Sequence, residues 1–236
     1  MRARLVLVPV ALATAIVAGC TPSGPTAAPT TAPADNGVAA LPAEEIVARS
    51  QAALGRVSSY RMSGVMTNQG QTAKIDLRNG GHNVKGIIEI DGQALEILRI
   101  GEDLYMKASD TFWKQFIPSQ QQNVLALLSG KYVKVDASNE SFSALTEAFD
   151  VSEIVKTDGA VTKASPTVIN GTPAIGLVSG EQHSTLYVAT VGEPTPLRIE
   201  GQSGQGNIDF TDYDKPIEFA APASSEVFDL KSIMGG

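Results

Sequence analysis

Several residue types are scarce in this chain, and their scarcity excludes several kinds of site. The 236 residues include a single cysteine, Cys20, so a disulfide within the chain cannot hold the fold together. There are two histidines, His82 and His183, and neither the HExxH pattern of zinc hydrolases nor the GxSxG elbow of serine hydrolases occurs. We therefore expect surface histidines, no enzyme, no catalytic residues, no metal site and no cofactor.

Positive charge and long apolar runs are also scarce. The chain has 18 Lys and Arg against 25 Asp and Glu, and its net charge of -7 argues against nucleic acid as a partner and against a polybasic membrane patch. The apolar stretch from Leu5 to Ala18 has about 14 residues, whereas a membrane-spanning helix needs roughly 20. A permanent transmembrane helix is therefore the weaker interpretation of this stretch.

The N-terminal segment has the organisation of an export signal. Two arginines precede the apolar stretch, and two small residues come directly before Cys20. This order of charge, apolar core and small residues is typical of a secretory signal peptide. Val17-Ala18-Gly19-Cys20 resembles the bacterial lipobox, which implies cleavage before Cys20 and attachment of a diacylglyceryl group to its thiol. The alternative is an ordinary signal peptide with a chance cysteine, but it leaves an unpaired thiol unexplained.

The sequence predicts three parts: a signal peptide at 1–19, the lipidated cysteine with a Pro-, Ala- and Thr-rich linker at 20–41, and one domain at 42–236. The linker has four prolines and no apolar periodicity, so its composition predicts no packed structure. Two or more acyl chains, with palmitate expected among them, give stable anchoring. We therefore expect a protein held by lipid at the outer, extracytoplasmic face of the cell membrane.

Hydrophobic periodicity divides the domain into helices and short strands. A helix is expected from Pro42 to Gly55, because acidic residues occupy its first turn and apolar residues share one face. Short, partly alternating segments separated by turn residues then predict an antiparallel meander. Its five strands are expected at 60–67, 72–79, 82–90, 94–100 and 103–108.

The second half of the domain is expected to return from helices to strands. One helix is predicted to begin near Ser119 and to end at Gly130, and another to carry Phe142, Leu145 and Phe149 on one face. Strand patterns follow at 167–178, 184–190, 196–202 and 205–212. The whole pattern predicts an α+β fold, with one antiparallel sheet and the helices gathered on one of its faces.

An ordered set of motifs gives the domain a resemblance to a known family. In chain order the motifs are Ser58-Ser59-Tyr60-Arg61, Gly101-Glu102-Asp103-Leu104-Tyr105-Met106, Gly130-Lys131-Tyr132-Val133-Lys134-Val135, Gly192-Glu193-Pro194-Thr195-Pro196-Leu197-Arg198-Ile199 and Phe210-Thr211-Asp212-Tyr213-Asp214-Lys215-Pro216. With the lipobox and the linker, they resemble the actinobacterial LppX–LprG lipoproteins, relatives in fold of the lipoprotein carriers LolA and LolB. The resemblance covers essentially all of residues 42–236. It implies a curved, incomplete antiparallel β-barrel whose concave face is covered by helices.

The same resemblance implies a lipid carrier. Such proteins hold the acyl chains of a lipid or glycolipid in an apolar cavity between sheet and helices and move them within the cell envelope. We expect a monomer with an envelope transport partner. Strand alternation and helix face indicate the cavity residues, which are Met62, Ile75, Leu77, Ile88, Leu104, Leu128, Leu145, Phe149, Leu186 and Ile208. The alternative is an anchored interaction or sensor module of the same fold with a packed interior and no lipid cargo.

Overall fold

The structure is a computed structural model, and it describes residues 34–68, 70–115, 122–136, 155, 159–180 and 184–229. The signal peptide, Cys20 and the helix expected to carry Leu145 and Phe149 lie outside the described residues.

The folded part of the chain begins earlier than the expected boundary at residue 42. The backbone N–H of Asn36 donates to the carbonyl of Thr190 over 2.9 Å, and its side-chain amide donates to two further carbonyls nearby. Val38, in a 3₁₀ turn at Val38–Ala40, is 2% exposed. The linker boundary at residue 41 stays a prediction, but Asn36 and Val38 already contact the domain. One apolar residue and one amide are enough to bind this segment, although its composition resembles a linker.

Helix α1, Ala43–Leu54, forms as its sequence predicts. Pro42 is its N-cap, Glu44 and Glu45 lie in its first turn, and Gly55 follows it directly. Carboxylates at this position interact favourably with the N-terminal end of the helix dipole. The buried face of the helix includes Ile46, which is 0% exposed. Two shorter helices follow later in the chain, α2 at Asp110–Trp113 and α3 at Gln122–Leu128.

The strands of the described chain form one sheet. In chain order they are β1 Tyr60–Asn68, β2 Gln71–Gly80, β3 Asn83–Ile90, β4 Gln93–Ile100, β5 Asp103–Ala108, β6 Tyr132–Asp136, β7 Val161–Lys163, β8 Thr167–Ile169, β9 Thr172–Ser179, β10 Thr185–Ala189, β11 Pro196–Glu200, β12 Gly206–Thr211 and β13 Val227–Asp229. Their order is β13-β6-β5-β4-β3-β2-β1-β12-β11-β10-β9-β7, and β8 also pairs with β9. The described strands pair antiparallel except β13, which runs parallel to β6. The predicted α+β fold with an open, curved antiparallel sheet is confirmed.

The elements that the sequence did not predict are short. Strands β6, β7 and β13 and helix α2 have three to five residues each, too few to show a hydrophobic period. The expected meander is confirmed strand by strand, and the segment at 167–178 forms the hairpin β8–β9 around Asn170-Gly171.

Glycines inside strands let neighbouring backbones approach closely. A Cβ added to Gly64 of β1 would lie 2.0 Å from the carbonyl oxygen of Asn207, and one added to Gly86 of β3 would lie 2.0 Å from that of Asp76. Only glycine fits at such contacts, and glycines of this kind are a usual means of bending a sheet. The curvature of the sheet therefore depends on glycines, a residue type with a low propensity for strands.

The interior of the described chain consists of two apolar clusters on one face of the sheet, which we call the inner face. The first cluster joins α1 to β1, β9, β10 and β12, and its buried members include Ile46, Leu54, Met62, Leu177, Val188 and Phe210. The second joins α2 and α3 to β2–β6, and its buried members include Leu77, Ile97, Leu104, Met106, Trp113 and Leu128. Helix α1 covers one half of the inner face, and helices α2 and α3 cover the other half. The described helices therefore lie on one face of the sheet, as predicted.

Candidate functional site

One register row of small and aliphatic residues crosses eight strands on the inner face. Each member is the register partner of the next one on the neighbouring strand. From β10 to β5 the members are Leu186, Ile199, Ile208, Gly64, Ile75, Ile88, Leu95 and Ala108. We call this set the inner row. Since neighbouring strands lie about 4.8 Å apart, the row extends roughly 34 Å along the sheet. It is a continuous apolar surface that no charged or polar side chain interrupts.

The centre of the inner row is less covered than Leu186 on one side of it and Leu95 on the other. Leu186 at one end is 4% exposed, and Leu95 near the other is 3% exposed. Between them Ile199, Ile208 and Ile75 are only partly buried. Ile199 and Ile208 pack against the first cluster, whereas Ile75 packs against the second. Accessible apolar surface therefore remains where the two clusters meet.

A second register row lies beside the inner row and is filled core. Its members, from β12 to β6, are Phe210, Met62, Leu77, Gly86, Ile97, Met106 and Val133. Every side chain in it is at most 5% exposed. This row gives the central part of the inner row a rigid neighbour, because closely packed side chains resist displacement.

The structure brings the described cavity candidates to one face. Four of the ten, Ile75, Ile88, Leu186 and Ile208, are members of the inner row. The other described candidates, Met62, Leu77, Leu104 and Leu128, are at most 5% exposed and belong to the two clusters. The remaining two, Leu145 and Phe149, lie outside the described residues. That any of these residues lines a lipid cavity stays a prediction.

Four members of the inner row, Ile199, Gly64, Leu95 and Ala108, are absent from the sequence-based set. Alternation along the segment 196–202 could have identified Ile199, whose side chain faces Leu186 and Ile208. Gly64 has no side chain to show in a hydrophobic pattern, and only the strand register places it in the row.

Buried polar atoms without partners occur among these apolar side chains. The Oγ of Ser50, the Nδ2 of Asn79, the Oε1 of Gln93 and the Nε1 of Trp113 have no hydrogen-bond partner among the described residues. Asn79 and Gln93 face the same way as Leu77 and Leu95 on their strands. A buried polar group left unsatisfied costs about 1–3 kcal/mol. A bound molecule that carries hydroxyl or ester groups would reduce this cost.

The opposite face of the sheet, the outer face, carries charge. Arg61 on β1, Arg78 on β2 and Lys85 on β3 are direct register partners there. Arg61 forms two hydrogen bonds with the carboxylate of Asp76, at 2.8 and 2.7 Å. These bonds lower the pKa of Asp76 and raise the pKa of Arg61. Arg78 is 3.7 Å from the same carboxylate.

Two open clefts of the described chain lie along this outer face. One, of about 350 Å³, is lined by residues that include Arg61, Arg78, Lys85 and Lys215. The other, of about 480 Å³, includes Ile87, Leu98 and Tyr132, and the clefts share Arg78, Lys85 and Glu218. Burial and the hydrogen bond to Glu96 raise the pKa of Tyr132 to about 12, so this phenol stays protonated at neutral pH.

Neither a metal centre nor a membrane span appears in the described part of the chain. No group of three or more His, Cys, Asp or Glu side chains is placed there to hold a metal ion. No helix of those ranges is both long enough and apolar enough to cross a membrane.

The sequence matches no protein-family model, and no curated protein matches it significantly. Among solved structures, LprF from Mycobacterium bovis is similar to this chain with 16% identity and a TM-score of 0.49, over 77% of this chain and 97% of LprF. Lipoprotein LppX from Mycobacterium tuberculosis is similar with 15% identity and a TM-score of 0.48, over 75% of this chain and 99% of LppX. LprF and LppX are both mycobacterial proteins.

Proposed function

We propose that this protein binds the acyl chains of a lipid or glycolipid along the centre of the inner row. The observation that carries the proposal is the partly uncovered stretch Ile199–Ile208–Gly64–Ile75, which is apolar and continuous and lies between two packed clusters. Each methylene that moves from water onto such a surface contributes about 0.8 kcal/mol. An acyl chain with many methylenes could therefore bind without any charged contact.

The division of the helices suggests how a chain enters and leaves. Helix α1 belongs to the first cluster, and α2 and α3 belong to the second. The helices can therefore move apart over the inner row while the backbone hydrogen bonds of the sheet stay intact. Binding and release then need no covalent change, and the protein acts as a carrier rather than an enzyme.

The proposed carrier is held in the cell envelope by its N-terminus. Cleavage before Cys20 and lipidation of its thiol would anchor it at the extracytoplasmic face of the cell membrane, with the following linker as a tether. From this position a monomer would receive a lipid or glycolipid and pass it to an envelope transport partner.

The proposal is tested by changing the inner row at positions that are only partly buried. In the full chain with Cys20→Ser, we expect Ile75→Asn and Ile208→Asn each to weaken binding of a fluorescent diacyl lipid at least tenfold, because an amide places polar atoms along the path of the chain. Val65→Asn is the matched control, since Val65 is 42% exposed and lies on the outer face of β1, outside both clefts. Binding is measured by fluorescence titration, and thermal unfolding confirms that each variant is folded.

The opposing result would favour the interaction module with a packed interior. If the folded protein takes up no lipid, or if Val65→Asn weakens binding as much as Ile75→Asn, the inner row is not the binding surface. Capture experiments for a protein partner would then follow.

A further inference from the structure

The outer face carries an arrangement of charge that strand pairing alone disfavours. Arg61 lies directly opposite Arg78, and Arg78 lies directly opposite Lys85, so three cations stand side by side on adjacent strands. Like charges directly opposite each other in an antiparallel pair are destabilising. In a chain whose net charge is -7, this concentration of positive charge is a local exception.

Carboxylates neutralise only part of the positive charge of Arg61, Arg78 and Lys85. Asp76 is engaged by both hydrogen bonds of Arg61, and its distance of 3.7 Å from Arg78 is longer than a hydrogen bond. The ammonium of Lys85 donates to the backbone carbonyl of Glu218 at 2.6 Å and lies 5.7 Å from the centre of the Phe219 ring, so neither of these two partners is a carboxylate. Among the described residues, Lys85 and Lys215 form no ion pair with a carboxylate.

The segment that follows β12 closes one side of this cleft. Asp214 accepts hydrogen bonds from the backbone N–H and the hydroxyl of Ser58 at 2.7 and 2.9 Å. Further along, Phe219 packs so closely on Gly80 that an added Cβ would lie 2.8 Å from its ring. Lys215 and Glu218 are thereby held beside Arg78 and Lys85 around a cleft of about 350 Å³. The cleft has four cationic side chains and two carboxylates, those of Asp212 and Glu218.

We propose that this cleft binds a phosphate ester, with Arg78, Lys85 and Lys215 as its cationic ligands. A phosphate offers several acceptor oxygens, which suits convergent guanidinium and ammonium donors. The adjoining cleft with Ile87, Leu98 and Tyr132 gives the ester an apolar neighbour. Because the site lies on the opposite face of the sheet from the inner row, it does not depend on acyl-chain binding there.

The test uses the full chain with Cys20→Ser and two sources of the same chemistry. Binding of glycerol phosphate is measured by calorimetry, and binding to vesicles of anionic phospholipid is compared with binding to vesicles of zwitterionic phospholipid. We expect Arg78→Gln and Lys215→Gln each to reduce affinity about fivefold, as removing one cation near an anionic surface does. Arg78→Lys keeps the charge and should restore most of the binding. Lys74→Gln is the matched control, since Lys74 is exposed on the same strand and face opposite Glu89.

Each outcome decides the proposal. Binding of glycerol phosphate that depends on Arg78 and Lys215 establishes a site for a soluble phosphate ester. The same dependence on anionic vesicles alone identifies a phospholipid headgroup as the ligand. If neither probe binds, or if Lys74→Gln reduces affinity as much as Arg78→Gln, the cleft is not a phosphate site.

Discussion

The two faces of the sheet are built from the same strands, but they differ in burial and in charge. Ile88 belongs to the inner row and is 9% exposed, whereas its neighbour in sequence, Ile87, is 46% exposed on the other face. The inner face is apolar along two full register rows, whereas the outer face brings three cations into register. Because side chains alternate along a strand, one sequence can specify an apolar surface and a charged one. The two faces therefore differ in how much of their surface is buried within the fold and how much is exposed.

The largest expected difference between the faces concerns stability. Leu104 is fully buried in the second cluster, so Leu104→Ala should lower the free energy of unfolding by about 3 kcal/mol through lost transfer energy and a residual cavity. Ile87→Ala on the outer face should change it by less than about 0.5 kcal/mol. Urea denaturation of both variants measures the difference. Equal losses would show that the outer face is also buried against something.

A second prediction concerns the curvature that shapes the inner face. Gly64→Ala places a methyl group on the backbone of Asn207, and we expect a loss of about 2 kcal/mol or more, because a backbone atom cannot move aside as a side chain can. Gly101→Ala is the control, since its φ of 60° imposes strain but nothing lies near the added methyl. That variant should lose about 1 kcal/mol. Thermal unfolding compares the two, and equal losses would refute close strand approach at Gly64.

The smallest expected effect tests the charge balance of the outer face. Hydrogen bonds from Arg61 lower the pKa of Asp76 below its ordinary 3.8, so its carboxylate stabilises the fold above that value. This contribution is lost as the pH falls from about 4 through the lower folded pKa. Because Asp76 is 42% exposed, Asp76→Asn should cost only about 0.5 kcal/mol at pH 7. Unfolding free energies measured from pH 7 to pH 2 should converge for the two proteins. A cost that persists at pH 2 would assign it to packing.

Much of the fold could be predicted because its signals are local. The turn residues between β1 and β5 divide the chain into segments of alternating character, and Pro42 and Gly55 bound helix α1. The alternation also placed the described cavity candidates on the inner face. The resemblance to the LppX–LprG group rested on similarly local motifs.

The features that escaped prediction depend on partners distant in sequence. Val38 is buried because residues near 190 lie against it, and strand β13 exists because β6 offers it an edge. The continuity of the inner row depends on the pairing of β1 with β12, which joins Gly64 to Ile208 across the sheet. Register between such strands cannot be read from either segment alone. The row of Arg61, Arg78 and Lys85 is likewise visible only once three strands are aligned.

The central claim, that an acyl chain lies on the inner row, is tested most directly by photo-crosslinking. A diacyl lipid with a photoactivatable group on one chain is added to the folded full chain with Cys20→Ser, and labelled residues are located by mass spectrometry. The account predicts adducts at Ile75 and Ile208 and none at Ile87, whose side chain faces the other way. Labelling confined to the outer face, or no labelling of a folded protein, would contradict it.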